Sequence, residues 1–309
     1  MNLELFILGT GGMMPLPGRF LTSALLRREG ELFLFDCGEG TQVSLRKLNL
    51  KWKKISVIFI SHTHADHVTG LPGILMLSSQ VERDEPLYII GPPNIREYVE
   101  SSRKALDMYI NYEIIVKEIT EPGIVYEGDG YSVKAFSLRH TKPCFGYSLI
   151  EDARPGVFNP EAARNLAVPI GPLWARLQSG ENVTLENGNI VTPEMVLGAK
   201  RKGRKFSFVT DTKYFGGIKD NVKDSDLFIC EGMFRDELKE SAAEKKHMTA
   251  TQAATIAKEA GGVKKMGLIH YSPRYTEYDL RFLVKEARIV FPDTFLSRDG
   301  QAINIPFED

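Results

Sequence analysis

Ser61-His62-Thr63-His64-Ala65-Asp66-His67 is the stretch of sequence that decides the fold and the chemistry of this chain. It follows the short apolar run Val57–Ile60 and places three imidazoles and one carboxylate within six residues. Imidazole and carboxylate groups together are typical ligands of zinc, and less often of manganese, iron or cobalt. The run therefore predicts a metal site at the end of a buried strand.

Further candidate ligands occupy the same kind of position. They are His140 after Val133–Leu138, Asp211 after Phe206–Val209, and His270 after Met266–Ile269. In open α/β sheets, binding sites form beyond the carboxyl ends of strands. One histidine at a strand end is usually structural, but four strand ends that all carry metal-binding side chains favour a shared metal centre.

The number and placement of the ligands predict two metals. His62 and His64 point the same way in an extended segment, because side chains alternate there, whereas the adjacent Asp66 and His67 must diverge. Each zinc binds about four to five ligands. We expect a first ion at His62, His64 and His140, a second ion at Asp66, His67 and His270, and Asp211 as a bridge. Two metals about 3.5–4 Å apart suit phosphodiester hydrolysis, since they stabilise both the attacking and the leaving oxygen.

The composition is that of one sizeable enzyme domain. The chain has 309 residues, 43% of them hydrophobic, with a formal net charge of −1 and three cysteines without a C-x-x-C pair. This cysteine usage indicates a reducing compartment, and we expect a cytoplasmic protein. No apolar run approaches 18 residues, so no membrane span is expected. Gly9-Thr10-Gly11-Gly12 is followed by a predicted hairpin rather than by the helix of a dinucleotide motif, so no nucleotide cofactor is expected.

Most of the chain alternates short apolar strands with helices. The pattern predicts a hairpin around Glu29-Gly30 and helices at Glu39–Leu48, Leu71–Gln80, Asn94–Leu106, Thr249–Ala260 and Tyr278–Phe291, with Thr249 as an N-cap and Gly261-Gly262 as a stop. One segment does not follow this alternation. We treat residues 1–309 as one domain with an insertion at Glu151–Lys205, which contains five prolines and a hairpin signal at Asn187-Gly188. The insertion ends in Lys200-Arg201-Lys202-Gly203-Arg204-Lys205, five basic residues in six. An excursion of this length is either functional or a solvated surface loop.

The metal run resembles the signature of the metallo-β-lactamase superfamily, and within it the chain resembles the short-form ribonuclease Z family of tRNA 3′-processing endonucleases. The similarity extends over nearly the whole chain. It includes Phe6–Gly11, the segment Leu34–Gln42, Gly70-Leu71-Pro72-Gly73 after the metal run, Gly171-Pro172 in the insertion, and His247-Met248-Thr249.

This resemblance implies an αββα sandwich with a protruding flexible arm, two zinc ions and a homodimer that cleaves precursor tRNA to leave a 3′-hydroxyl. The arm, residues 151–205, would grip the tRNA elbow. Asp66 would also orient the attacking water, and His247 would donate a proton to the ribose 3′-oxygen, a task that suits a histidine. Glu231 would orient His247, and Asp36 would support the metal loop.

Several positions depart from the family pattern. Pro15-Leu16-Pro17-Gly18-Arg19-Phe20 keeps the proline and arginine of the loop associated with the CCA end but lacks its lysine and asparagine. Thr63, Ala65 and Cys230 also differ from the usual residues, although none of these changes removes a ligand. The position of the cut, the native metal and the range of RNA substrates stay open.

Two alternatives also stay open. One is another hydrolase of the same fold that acts on a small phosphodiester, a lactone or a sulfate ester, which would need neither the basic arm nor His247. The other is a non-catalytic RNA-binding scaffold, against which the complete ligand set argues.

Overall fold

The computed structural model describes residues 2–80 and 83–308. The chain forms two compact units. The first comprises Met1–Ile150 and Lys205–Pro306, and the second comprises Glu151–Arg204 with Phe307–Asp309.

Strands of the described residues follow the apolar runs of the sequence. In chain order they are β1 (Leu3–Gly9), β2 (Ser23–Arg28), β3 (Glu31–Phe35), β4 (Ile55–Phe59), β5 (Leu87–Gly91), β6 (Ile114–Glu118), β7 (Gly123–Gly128), β8 (Tyr131–Ser137), β9 (Phe145–Glu151), β10 (Val183–Thr184), β11 (Ile190–Val191), β12 (Lys205–Val209), β13 (Leu227–Glu231), β14 (Met266–Ile269), β15 (Thr294–Leu296) and β16 (Ala302–Asn304). The hairpin predicted around Glu29-Gly30 is confirmed, because β2 and β3 pair antiparallel.

In chain order the helices of the described residues are α1 (Thr41–Lys47), α2 (Ala65–Val68), α3 (Leu71–Ser79), α4 (Ile95–Ala105), α5 (Pro160–Asn165), α6 (Pro172–Gln178), α7 (Pro193–Val196), α8 (Gly217–Val222), α9 (Lys239–Glu244), α10 (Ala250–Ala260) and α11 (Leu280–Val290). The five predicted helices are present in the first unit within about two residues of their predicted bounds, whereas the short helices α2, α8 and α9 were not predicted. Two 3-10 helices cover Trp52–Lys54 and Asp236–Leu238. The predicted cap at Thr249 is confirmed as a capping box with Gln252. No helix of residues 2–80 and 83–308 combines the length and the apolar character that crossing a membrane requires.

Two mixed sheets of seven strands form the first unit. Their orders are β16-β1-β2-β3-β4-β5-β6 and β15-β14-β13-β12-β9-β8-β7. Side chains such as Phe35, Phe59 and Phe208 pack between the sheets, and separate apolar clusters join each sheet to the helices on its outer face. Strands covered on both faces are apolar at nearly every position, as β4 is. The expected αββα layering is confirmed.

The second unit has a small apolar centre of its own, although its sequence shows no strand–helix rhythm. Its core consists of seven buried residues contributed by helices α5, α6 and α7, the hairpin β10–β11 and the adjoining loops. They are Ala163, Val168, Leu177, Val183, Leu185, Val191 and Val196. The predicted hairpin is present, but its register is shifted by one residue from that of a two-residue turn at Asn187-Gly188. Val183 pairs with Val191, so the loop has three residues, Glu186, Asn187 and Gly188, and Gly188 takes the left-handed conformation with φ 84°. Five prolines therefore interrupt the periodicity without preventing a packed core.

Candidate metal centre

The predicted ligands converge at the carboxyl ends of strands from both sheets. The metal run follows β4 of the first sheet, whereas His140, Asp211 and His270 follow β8, β12 and β14 of the second. The ligand atoms form two sets, and within each set all of them lie within 4.8 Å of one another. The first set is His62, His64, His140 and Asp211, and the second is Asp66, His67 and His270. The structure therefore brings together all seven residues that the sequence nominated as ligands.

Asp211 stands between the two sets. Its Oδ2 lies 3.6 Å from His62 Nε2 and 3.7 Å from His140 Nε2. Its Oδ1 lies 3.0 Å from His270 Nε2 and 3.3 Å from His67 Nε2. Because each carboxylate oxygen faces a different set, one side chain can bind a cation in each.

Two buried ring nitrogens of the second set, together with the Asp211 oxygen that faces them, show that a cation fits there. His67 Nε2, His270 Nε2 and Asp211 Oδ1 are shielded from solvent and have no hydrogen-bond partner among the described residues. Leaving such atoms unpaired costs about 1–3 kcal/mol each. Nitrogen and oxygen donors that converge in this way are the ligand set of a divalent metal, so the donor chemistry and the unsatisfied atoms point to the same occupant.

The other ring nitrogens are held by neighbouring groups. His67 Nδ1 donates to Asp36 Oδ2 at 2.7 Å, and Asp36 also accepts from the Ser61 amide and hydroxyl. His270 Nδ1 donates to Thr22 Oγ1 at 2.7 Å, while that hydroxyl donates to the Gly11 carbonyl. These bonds fix each ring so that Nε2 faces the centre. The supporting role of Asp36 was predicted, whereas that of Thr22 was missed because it lies 248 residues from His270 and belongs to no motif.

The electrostatics of the cluster keep Asp211 ionised. Burial alone would raise the pKa of its carboxyl, but His270, His67 and further histidines outweigh burial and hold the pKa well below its usual range. Burial and the neighbouring His67 lower the pKa of His62 well below its ordinary value. A charged carboxylate beside a neutral imidazole is the state in which both bind a metal.

Tight backbone packing surrounds the second set. A Cβ on Gly12 would lie 2.6 Å from His270 Nε2, so only glycine fits beside that ring. The next residue, Met13, has φ 67° and donates its amide to Asp66 Oδ2 at 2.7 Å. Neither contact was predicted from the sequence, where the glycine-rich turn was considered only as a possible nucleotide-binding motif.

His247 and Glu231 form a buried pair next to Asp211. Glu231, at the end of β13, accepts from His247 Nδ1 at 3.2 Å and from the Thr212 amide at 2.7 Å. Burial lowers the pKa of His247, but Glu231 and Asp211 outweigh burial and raise it to about 9. His247 could also join Asp211 and His270 as a ligand. Its Nε2 lies 3.9 Å from Asp211 Oδ2, whereas His270 Nε2 lies 3.0 Å from Asp211 Oδ1.

Some basic side chains of the run at the end of the insertion are already paired within the protein, so fewer of them can contact phosphates than the sequence suggests. Arg204 is only 2% exposed and pairs with the buried Glu151, at 2.7 Å. Lys205 belongs to the first unit as the first residue of β12, where its ammonium donates to the carbonyls of Asn221 and Lys223. Two of the five basic side chains therefore stabilise the fold.

Comparison with known proteins identifies close relatives. The chain is 67% identical to a ribonuclease Z of Treponema denticola over 309 residues, which is 100% of both chains. The crystal structure of human tRNase Z, short form, superposes with a TM-score of 0.72 at 26% identity and covers 98% of this chain and 100% of that one. YhfI from Bacillus subtilis, a metallo-β-lactamase fold protein, matches with a TM-score of 0.68 at 18% identity over 98% of this chain and 100% of its own.

A family model described as Anti-Pycsar protein Apyc1 matches residues 3–154. That segment contains the metal run and His140. It ends before Asp211, His247 and His270, so it covers only part of the metal centre.

Proposed function

Because this chain belongs to the ribonuclease Z family, we propose that it is an endoribonuclease that uses two zinc ions to cleave precursor tRNA at its 3′ end. The observation that carries the zinc assignment is the pair of ligand sets joined by Asp211, with unsatisfied buried atoms between them. The same complete set argues against a non-catalytic scaffold.

The two ions would share Asp211. His62, His64 and His140 would hold one ion with Asp211 Oδ2, and Asp66, His67 and His270 would hold the other with Asp211 Oδ1. Zinc held by these residues would supply hydroxide at neutral pH and would stabilise negative charge on the attacking and leaving oxygens.

The protein groups around the ions would orient the reaction. Asp66 accepts the Met13 amide through Oδ2, the same oxygen that lies 3.7 Å from His67 Nε2. An anchored carboxylate at this position would orient the attacking water as well as bind metal. As the bond between phosphorus and the ribose 3′-oxygen breaks, His247 would donate its Nε2 proton to that oxygen. Glu231 would hold Nδ1–H and keep the ring charged until transfer.

We extend the proposal to the second unit, which would bind the tRNA elbow. The family resemblance and Gly171-Pro172 support this, and the exposed Lys200 and Lys202 would supply positive charge. The ion pair between Arg204 and Glu151 lowers the number of phosphate contacts expected there.

We also propose a homodimer. A recess of about 610 Å³ lies between α1, the 3-10 helix at Trp52 and α3. Val43 and Met76 border it and are 41% and 46% exposed. Apolar side chains of this size on adjoining helices suit burial against a second copy of the chain.

The test is to map both product ends after incubation of the zinc-loaded protein with a precursor tRNA. We expect one cut, a 3′-hydroxyl on the tRNA and a 5′-phosphate on the trailer, with no product from a matched Asp211→Ala variant. A protein that binds zinc and hydrolyses small phosphodiesters but leaves the precursor intact would overturn the assignment.

A further inference from the structure

Helix α9 ends in a motif that usually requires glycine. The amide of His247 donates to the Ala242 carbonyl at 2.8 Å, and the amide of Lys246 donates to the Ala243 carbonyl at 3.2 Å. This pair of bonds defines a Schellman motif, whose turning residue adopts the left-handed conformation. Here that residue is Lys246, with φ 56°. A side chain at this position is disfavoured relative to glycine, so Lys246 is held there at a cost in backbone strain.

Lys246 forms two hydrogen bonds with His140, one of the predicted metal ligands. It accepts in one and donates in the other. The His140 ring donates from Nδ1 to the Lys246 carbonyl at 3.1 Å. The Lys246 ammonium donates to the His140 carbonyl at 3.1 Å. Because the carbonyl of Lys246 can only accept, His140 must carry its proton on Nδ1. Its Nε2 is then left unprotonated towards Asp211 Oδ2, at 3.7 Å.

The left-handed turn connects this ligand to the adjacent histidine. His247 directly follows Lys246, and its ring centroid lies 5.2 Å from that of His140. The conformation that points the Lys246 carbonyl at His140 also sets the direction in which the chain enters His247. One residue thus determines the placement of two imidazoles that belong to different loops.

We propose that Lys246 is a positioning residue that locks His140 and His247 into one unit, so that the metal ligand and the proton donor keep a fixed separation. The proposal rests on the zinc and proton-donor assignments made above. It predicts that loss of the ammonium weakens zinc binding at the His140 set and slows proton transfer, although this ammonium donates to a backbone carbonyl and not to a metal-binding atom.

A purely electrostatic effect of the Lys246 charge would change zinc affinity in the opposite direction from the one we predict. A lysine ammonium near a dication repels it, so removal of the charge alone would strengthen zinc binding. A purely structural role would lower the thermal midpoint and leave zinc affinity unchanged. The direction of the change in affinity therefore separates the three explanations.

The experiment compares Lys246→Met and Lys246→Gly with Asp107→Gly. Asp107 ends α4 in the same motif, with φ 45° and the amide of Met108 donating to the Arg103 carbonyl at 3.0 Å, and it is not a predicted site residue. Zinc affinity is measured by competition with a chromophoric chelator, thermal midpoints by calorimetry, and kcat and KM on precursor tRNA at saturating zinc.

We expect both Lys246 variants to bind zinc about tenfold more weakly, at the lower end of the effect seen for residues that orient metal ligands. Their kcat should fall while KM is retained. Lys246→Gly should melt no lower than Lys246→Met, since glycine relieves the left-handed strain, and Asp107→Gly should leave zinc affinity unchanged. Equal or tighter zinc binding in both Lys246 variants, with kcat unaltered, would overturn the proposal. Failure of the wild-type protein to bind zinc would instead reject the function proposed above.

Discussion

A substitution at Gly12 offers a direct test of the metal centre, because the effect of an added side chain can be worked out from one contact. A Cβ at this position would lie 2.6 Å from His270 Nε2, and also 2.8 Å and 2.9 Å from two carbons of the same ring. Restoring an ordinary 3.4 Å contact requires the ring or the turn to move by about 0.8 Å. The His270 ring cannot turn away freely, since its Nδ1 is bonded to the buried Thr22.

Gly12→Ala should therefore displace the atom that binds metal. Misplacement of a catalytic group by about 1 Å can cost on the order of 100-fold in rate, and overpacking costs about 1–3 kcal/mol of stability. We expect a loss of about 100-fold in turnover on precursor tRNA and weaker binding of one of the two zinc ions. The measurements are zinc content after dialysis, single-turnover cleavage and the free energy of unfolding.

Gly216→Ala is the matched control, because a Cβ there meets nothing within 4 Å and the backbone is helical, with φ −64°. It should retain full zinc content and activity. If Gly12→Ala also retains two zinc ions and wild-type turnover, then the His270 ring is not held where the structure places it, and its assignment as a ligand must be abandoned.

Other predictions follow from the proposed roles. His247→Ala should reduce turnover by about 10²–10⁴ without loss of zinc, as removal of a general acid does; a missing ion in the purified variant would show that His247 is a ligand. Asp66→Ala should abolish most cleavage in a gel assay while a gel shift still detects bound precursor; near-normal cleavage would reject its role. Replacing residues 152–203 with a short Gly/Ser linker keeps the buried pair of Glu151 and Arg204. That variant should still hydrolyse bis-p-nitrophenyl phosphate if the wild type does, with at least about tenfold weaker tRNA affinity and a smaller salt dependence. Unchanged tRNA binding would reduce the second unit to a surface insertion.

The sequence predicted the strands and ligands of the centre because both signals are local. An apolar run such as Val57–Ile60 indicates a buried strand, and a histidine directly after it must lie at the edge of the sheet. Helix bounds were predicted to within about two residues where a cap or a glycine marks the end, as at Thr249 and Gly261. Edge strands such as β6, β7 and β16 were missed, because they are short or half exposed and their apolar pattern is weak.

The contacts that orient the ligands were not predictable in the same way. Thr22 acts through a hydroxyl, Gly12 through the absence of a side chain, and Lys246 through its backbone carbonyl. Such features are common in any sequence and mark no particular function. Their partners lie far along the chain, so no spacing rule identifies them. The basic run was overestimated for a related reason, since a count of charges does not show that Arg204 is already paired with a buried Glu151.

The geometry of the centre depends on how the two sheets are held together. His62, His64 and His67 come from the first sheet, whereas Asp211 comes from the second, so the distances between them are set by contacts between the sheets rather than within either one. Several hydrogen bonds connect the two sheets near the ligands, and two of them lie just before His62. The Tyr147 hydroxyl of β9 donates to the Ile60 carbonyl at 2.6 Å, and the Phe145 amide donates to the Ser61 carbonyl at 3.0 Å. The two acceptor carbonyls belong to the two residues before His62. The metal run is therefore fixed against the second sheet at the point where it begins, which explains how an apolar core between two sheets can maintain distances as short as those around Asp211.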